Sequence, residues 1–255
     1  MSKRRISTVP PLLGVTVSTP KYAALAKEAM RRVEHFIRIP TQVIEADDAD
    51  GFATKLALDR LCPSTRILFF DADWWALRPM DFSSYNGAAW MAVHDPGVFH
   101  PKAFPVHDCP LLSLAPELYF NSGFFLFDNS RASHRKVFRT ARQIEHNIFA
   151  GKQAPVHDFG DQSFLNAGVQ RNQVPLELLP FSYNYMRHMV QGRSFLFTPA
   201  LVHAVHAAGF KATQKARHLR SAAEFLSYDL DTSENGAAAE AAALAFQHAR
   251  SHTFA

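Results

Sequence analysis

The sequence Ile67-Leu68-Phe69-Phe70-Asp71-Ala72-Asp73 places four consecutive apolar residues directly before two carboxylates. The apolar run predicts a strand buried on both faces, as in the middle of a parallel sheet. In an extended segment, side chains at i and i+2 point the same way, about 7 Å apart. Asp71 and Asp73 are therefore expected to converge on one hard divalent cation and the phosphates that it carries. An Asp pair at a strand end also forms turns and helix caps, so this stretch alone leaves both interpretations open.

Composition and charge limit the class of protein. With 255 residues, 47% of them apolar and 20% charged, the chain suits one globular α/β domain with a core rich in its 22 Phe. We place that domain at residues 1–220 and an Ala-rich C-terminal helix or tail at residues 221–255. No window of 18 apolar residues predicts a membrane-spanning helix. Cys62 and Cys109 lack a metal-binding spacing and indicate buried, reduced thiols in a cytoplasmic protein.

The net charge of +4 favours an anionic ligand such as a nucleotide, and is compatible with a peripheral position at the inner face of a membrane. A nucleic-acid partner is not expected, because no dense Lys/Arg stripe with interleaved aromatic residues occurs. The oligomeric state is left open.

Strands and helices alternate along the first part of the chain, which is typical of a mixed, mostly parallel sheet flanked by helices. Strands are predicted at residues 12–17, 41–44, 67–70, 90–93, 124–127 and 200–205, and helices at 22–36, 51–61, 130–148, 161–167 and 237–249. Residues 95–116 are rich in Pro and His and predict an irregular loop.

Four further segments contain polar residues at predicted strand ends or helix starts. Asn121, Ser122 and Gly123 precede an apolar strand, as a turn or as a site for a sugar hydroxyl. Asp161 and Gln162 begin a helix, where a carboxylate commonly serves as a cap. His206 and its neighbours follow an apolar strand. Lys55 lies on the helix before the Asp71 strand, where it is either part of the same site or an ordinary solvated lysine.

Together these segments resemble the family 8 glycosyltransferases, of the glycogenin and bacterial lipopolysaccharide galactosyl- and glucosyltransferase kind. The likeness extends from about residue 13 to residue 211 and rests on Lys55, the run Ile67 to Asp73, Phe120-Asn121-Ser122-Gly123, Asp161-Gln162, Leu165-Asn166, and His206 with Gly209 and Lys211.

The resemblance implies a GT-A fold with a Rossmann-like sheet, a UDP-sugar donor, Mn²⁺ or Mg²⁺, and a carbohydrate or glycoconjugate acceptor. By that likeness Asp71, Asp73 and His206 bind the metal, and the donor is contacted by Thr16, Val17, Ser18, Lys55, Ala72, Asp95, Gly209 and Lys211. Asn121, Asp161 and Gln162 face the donor sugar as the catalytic group. Retention of the anomeric configuration is implied, with Gln162 near the reacting carbon.

The chain departs from the family pattern in two places. Phe210 alone separates Gly209 from Lys211 and Ala212-Thr213 follow, where the family has two residues and then Pro-Trp. Trp74 and Trp75 follow the carboxylates, and we expect one in the core and the other exposed.

Three other functions compete with the transferase. Phosphohydrolases of the haloacid dehalogenase type also have two aspartates at the end of an apolar strand, but they have Thr or Val at the position of Trp74. A sugar nucleotidyltransferase should open with a Gly-rich, Arg-containing loop, which Leu13 to Val17 lack. A non-catalytic nucleotide-sugar-binding module remains open.

Overall fold

The computed structural model describes residues 11–62, 65–95, 114–148, 160–186, 202–208 and 214–221. The strands are Leu12–Ser18 (β1), Thr41–Glu45 (β2), Arg66–Phe70 (β3), Trp74–Ala76 (β4), Trp90–His94 (β5), Phe120–Asp128 (β6), Leu176–Leu179 (β7) and Ala204–His206 (β8). The helices are Ala23–Phe36 (α1), Gly51–Lys55 (α2), Leu58–Leu61 (α3), Ala132–Asn147 (α4) and Gly160–Arg171 (α5), and residues 214–221 are also helical.

Several predictions fall outside the described residues. They are the tail helix at 237–249 and with it the boundary at residue 221, most of the loop at 95–116, Cys109, Gly209 and Lys211. Cys62 is buried and unpaired, as predicted.

Six strands form the central sheet in the order β2-β1-β3-β6-β5-β7. β1 runs parallel to both β2 and β3, and β5 runs parallel to β7, whereas β6 runs antiparallel to β3 and β5. The predicted mixed, mostly parallel sheet is confirmed. The carboxyl ends of β1 and β3 therefore lie at one edge of the sheet, which is where parallel α/β sheets bind their ligands.

Both faces of the sheet are covered, because alternate side chains of its central strands enter two different cores. On the face against α4 and α5, Phe69 stacks on Phe125 with 4.9 Å between ring centroids. On the face against α1, Trp74 stacks on Phe124 at 4.7 Å. This burial explains why residues 67–70 of β3 and 124–127 of β6 are continuous apolar runs.

The prediction of one exposed tryptophan is wrong. Trp74 is fully buried and its indole N–H donates to Tyr183 O at 3.0 Å. Trp75 is 5% exposed, because the guanidinium of Arg32 on α1 covers its ring at 4.6 Å from the centroid.

Three predicted elements differ from the observed ones. The helix at 51–61 is two short helices, α2 and α3. β6 begins at Phe120 rather than residue 124, so Asn121 and Gly123 lie inside a strand that is buried along its whole length and not in a turn before it. The strand predicted at 200–205 is observed at Ala204–His206, because the described residues 202 and 203 are not in a strand, and it pairs with β4 in a separate two-stranded sheet. None of the described helices is long and apolar enough to cross a membrane.

Candidate functional site

The two carboxylates that follow β3 lie in a turn. Trp74 N donates to Asp71 O at 2.9 Å, and the chain then enters β4. The expectation that Asp71 and Asp73 lie on one extended segment is therefore wrong, since Ala72 and Asp73 are in a turn. Asp71 N donates to Gly123 O at 2.9 Å, which ties the start of this turn to β6.

The β4–β8 pair brings a histidine to the same turn. Trp74 stands opposite His206 in the antiparallel register, and His206 N also donates to Tyr185 O at 2.9 Å. His206 Nε2 consequently lies 3.6 Å from Asp71 Oδ2 and 3.4 Å from Asp73 Oδ1. A remote three-residue strand thus completes the group that begins at the end of β3.

These three residues fit a divalent cation. Each offers one ligand atom, and the three atoms lie within 4.8 Å of one another. Bonds of 2.0–2.6 Å to a hard ion place neighbouring ligand atoms roughly 3 to 3.7 Å apart, which matches the two measured separations. Two carboxylates favour Mg²⁺ or Mn²⁺, and a single imidazole is compatible with the latter.

The imidazole reaches the carboxylates because β6 has a glycine beside it. A Cβ at Gly123 would overlap the His206 ring and would lie 2.9 Å from Asn121 Oδ1. The sequence predicted Gly123 in a turn or beside a sugar hydroxyl, whereas in the structure it lets the His206 side chain pack against the strand.

Asp71, Asp73 and His206 together form the metal group, and a buried lysine connects this group to α5. Lys55 Nζ lies 2.9 Å from Asp71 Oδ1, 2.8 Å from Asp161 Oδ2 and 3.2 Å from Ser122 Oγ. Its side chain is 4% exposed, which excludes the alternative that Lys55 is an ordinary solvated lysine. Burial alone would lower the pKa of Lys55, but the carboxylates of Asp161 and Asp71 outweigh it and raise that pKa.

Asp161 lies in the first turn of α5 and is buried, and it pairs with Lys55 instead of acting only as a helix cap. It also accepts from Ser122 Oγ at 2.7 Å. A helix start favours a carboxylate, so the amino terminus of α5 and the Lys55 ammonium both favour the Asp161 side chain in this position.

Buried amides form a network next to this ion pair. Gln162 Oε1 accepts from Asn121 Nδ2 at 2.9 Å and from Ser122 N at 3.1 Å, while Gln162 Nε2 donates to Asp95 Oδ2 at 2.9 Å. Asn121 Nδ2 donates to the same Asp95 oxygen at 3.2 Å. The structure therefore brings Asp95, Asn121 and Gln162 together at the end of β5, inside β6 and at the start of α5.

The end of β1 lies at the same edge of the sheet. Thr16 is fully buried, Val17 partly buried and Ser18 buried, and Ser18 Oγ donates to Thr19 O at 3.3 Å. The hydroxyls of Thr16 and Thr19 have no hydrogen-bond partner among the described residues. Ala72 is buried between the two carboxylates. Gly209 and Lys211 lie outside the described residues.

A second lysine reaches the metal group. Lys215 Nζ pairs with Asp73 Oδ2 and donates to Ala207 O at 3.0 Å. Burial alone would raise the pKa of Asp73, but His206 and Lys215 outweigh it and hold that pKa well below its usual value.

Two site residues were missed from the sequence. Lys215 was not assigned to the site, although its position only four residues after Lys211 was an available signal. Asn184, which is fully buried and donates to Asn121 Oδ1 at 2.9 Å, had no such signal, because it lies in an irregular segment far from every motif.

Comparison with solved structures agrees with this architecture. The galactosyltransferase LgtC, solved in complex with donor and acceptor sugar analogues, matches with a TM-score of 0.57 and 14% identity over 82% of this chain and 95% of its own. The chain has the GT-A fold. The bifunctional glycosyltransferase WbbM, solved without ligands, matches with a TM-score of 0.60 and 13% identity over 82% of this chain and 47% of its own. No protein-family model and no curated protein sequence matches the chain.

Proposed function

We propose that the protein is a metal-dependent, retaining glycosyltransferase that moves a hexose from a UDP-sugar to a carbohydrate or glycoconjugate acceptor. The observation that supports this most is the group of Asp71, Asp73 and His206, whose ligand atoms lie within 4.8 Å of one another at the ligand-binding edge of a GT-A sheet. The structural neighbour LgtC is described with donor and acceptor sugar analogues, which is consistent with the same two classes of ligand.

The polar groups are arranged in an order that suits such a donor. The nucleoside would lie at the end of β1, where the buried hydroxyls of Thr16 and Thr19 have no described partner. The diphosphate would lie beside the metal group, and a divalent cation held there would neutralise the charge that develops as the nucleotide leaves. The sugar would lie over the amide network of Asn121 and Gln162.

The carboxylates near the sugar subsite support a front-side route. Asp161 is bonded to Lys55 and Ser122, and Asp95 accepts from both Asn121 and Gln162. Among the described residues, each carboxylate beside Gln162 is thus already committed to a cation or an amide, which disfavours it as a covalent nucleophile.

In that route the bond between the anomeric carbon and the diphosphate oxygen breaks as the acceptor hydroxyl oxygen bonds to the same face of the carbon. The hydroxyl proton passes to the departing diphosphate oxygen, so no protein base is required. Gln162, held by Asn121, Ser122 N and Asp95, would hold its amide beside the reacting carbon.

The test is release of UDP from a panel of UDP-sugars, with and without Mn²⁺. We expect one donor to be turned over only with metal, and Asp73→Asn to lower that turnover by about a hundredfold or more. Asp81→Asn makes the same chemical change at an exposed turn and should keep full activity. Full activity in Asp73→Asn would contradict the proposal. Hydrolysis of p-nitrophenyl phosphate in place of UDP release would favour the phosphohydrolase.

A further inference from the structure

Lys215 pairs with one of the two carboxylate oxygens of Asp73, which is a ligand residue of the metal group. Asp73 Oδ1 faces His206 Nε2 at 3.4 Å, whereas Asp73 Oδ2 pairs with the Lys215 ammonium. One carboxylate is therefore shared between the metal group and a positive charge supplied by the chain itself.

The lysine is held in this place by several contacts. Its side chain is 11% exposed, its ammonium donates to Ala207 O at 3.0 Å, and it lies 5.8 Å from the centroid of the Tyr22 ring. Ala207 directly follows His206, and Tyr22 follows the end of β1. Lys215 thus lies between a metal ligand and the strand end expected to hold the nucleotide.

The positive charge of Lys215, in contact with Asp73, opposes the binding of a metal cation to the same carboxylate. Two like charges about 4 Å apart repel by several kcal/mol at the effective dielectric near a protein surface, and Asp73 has less charge to offer the metal while it binds an ammonium. An ammonium released from Asp73 would be a short side-chain movement away from an anionic ligand beside the metal.

We propose that Lys215 exchanges partners: it neutralises Asp73 before the metal binds, and it pairs with the donor diphosphate once metal and donor are present. The second half rests on the proposed transferase function, whereas the first half requires only that the group binds a divalent cation. Lys215 is then a positioning residue for the metal and a binding residue for the donor.

The two halves give effects of opposite sign in one variant. Lys215→Met removes the competing charge, so we expect Mn²⁺ alone to bind about tenfold more tightly, measured by electron paramagnetic resonance of free Mn²⁺. The same variant loses a charge-assisted bond, so UDP in saturating Mn²⁺ should bind about tenfold more weakly by calorimetry. Unchanged Mn²⁺ affinity, or unchanged UDP affinity, would overturn the corresponding half.

Arg217→Met is the matched control, because it removes one positive charge from an exposed position on the same helix. It should leave both affinities near those of the wild-type protein. An equal gain in Mn²⁺ affinity in the two variants would overturn the proposal, since it would show a general effect of charge.

A measurement on the wild-type protein avoids any question of folding in the variant. Labelling of Lys215 by acetic anhydride, followed by mass spectrometry, should rise when Mn²⁺ is added and fall again when UDP follows, relative to the exposed Lys27. Labelling that ignores Mn²⁺ would overturn the exchange. If Lys215→Met binds Mn²⁺ more tightly but the wild-type protein turns over no UDP-sugar, the proposed transferase function is wrong, whereas the competition between Lys215 and the metal is supported.

Discussion

At the scale of single residues, the site depends on a buried charge that is fully compensated. Lys55 lies between Asp71 and Asp161 and is 4% exposed. Removing one partner of a buried ion pair typically costs about 3–5 kcal/mol, because the remaining charge stays desolvated. Lys55 therefore fixes the distance between the metal group and the start of α5.

Gly123 gives the sharpest prediction for one residue. A methyl group at this position would overlap the His206 ring, so Gly123→Ala should displace the imidazole from the two carboxylates. Loss of one metal ligand should lower Mn²⁺ affinity by about tenfold or more. The measurement is a Mn²⁺ titration, with the melting temperature as a check that the variant is folded.

The control for that variant is Gly51→Ala at the start of α2. A methyl group there would meet only the Thr19 methyl, at 3.2 Å, among the described neighbours. It should bind Mn²⁺ like the wild-type protein. Wild-type affinity in Gly123→Ala would show that His206 does not need its observed position.

At the scale of elements, two short strands assemble the metal group. β4 and β8 have three residues each, and their pairing places Trp74 opposite His206. The sequence could not predict this pairing, because the two segments lie far apart in the chain and a three-residue strand has almost no periodicity. The residue types of the ligands were predictable, whereas the way they meet was not.

The junction of β6 and α4 gives a prediction about stability and pH. His134 is fully buried, and its Nδ1 accepts from Asp128 N at 2.9 Å. Burial, with a smaller effect of Arg131, lowers the pKa of His134 from its ordinary value of 6.5 to about 4. Because the unfolded chain binds this proton more readily, stability should fall as the pH falls from about 6.5 towards 4.

At pH 5 this effect amounts to about 2 kcal/mol relative to neutral pH. His134→Gln should lose that part of the pH dependence in urea unfolding measured at pH 7.5 and pH 5. His35→Gln, which changes an exposed histidine, should keep it. An identical pH dependence in wild-type protein and His134→Gln would show that the imidazole is not held neutral.

At the scale of the whole molecule, the sheet and the site differ in how far the sequence predicts them. The alternation of apolar strands and amphipathic helices predicted the mixed sheet, since β1 and β3 are short, mainly apolar segments and α1 has a clear helical period. The site is harder to predict from the sequence, because its residues come from separate strand ends that only the tertiary structure brings together. Asp71 and Asp73 were found from their strand, but the contacts of Lys215 with Asp73 and Ala207 depend on the tertiary structure.

One arrangement explains the position of the site in the molecule. β6 runs antiparallel to its neighbours, so its amino-terminal half, with Asn121 and Gly123, lies beside the carboxyl end of β3. Amides on β6 and carboxylates after β3, two strands that run in opposite directions, therefore meet at one edge of the sheet. This geometry connects the metal group to the amide network through Lys55 and Ser122.

The most direct measurement is the anomalous difference density of a crystal soaked with Mn²⁺ and UDP, collected at the manganese edge. We predict one strong peak within bonding distance of Asp71, Asp73 and His206, with the diphosphate against it on the side of Lys215. A peak elsewhere, or a metal site formed without His206, would contradict the account.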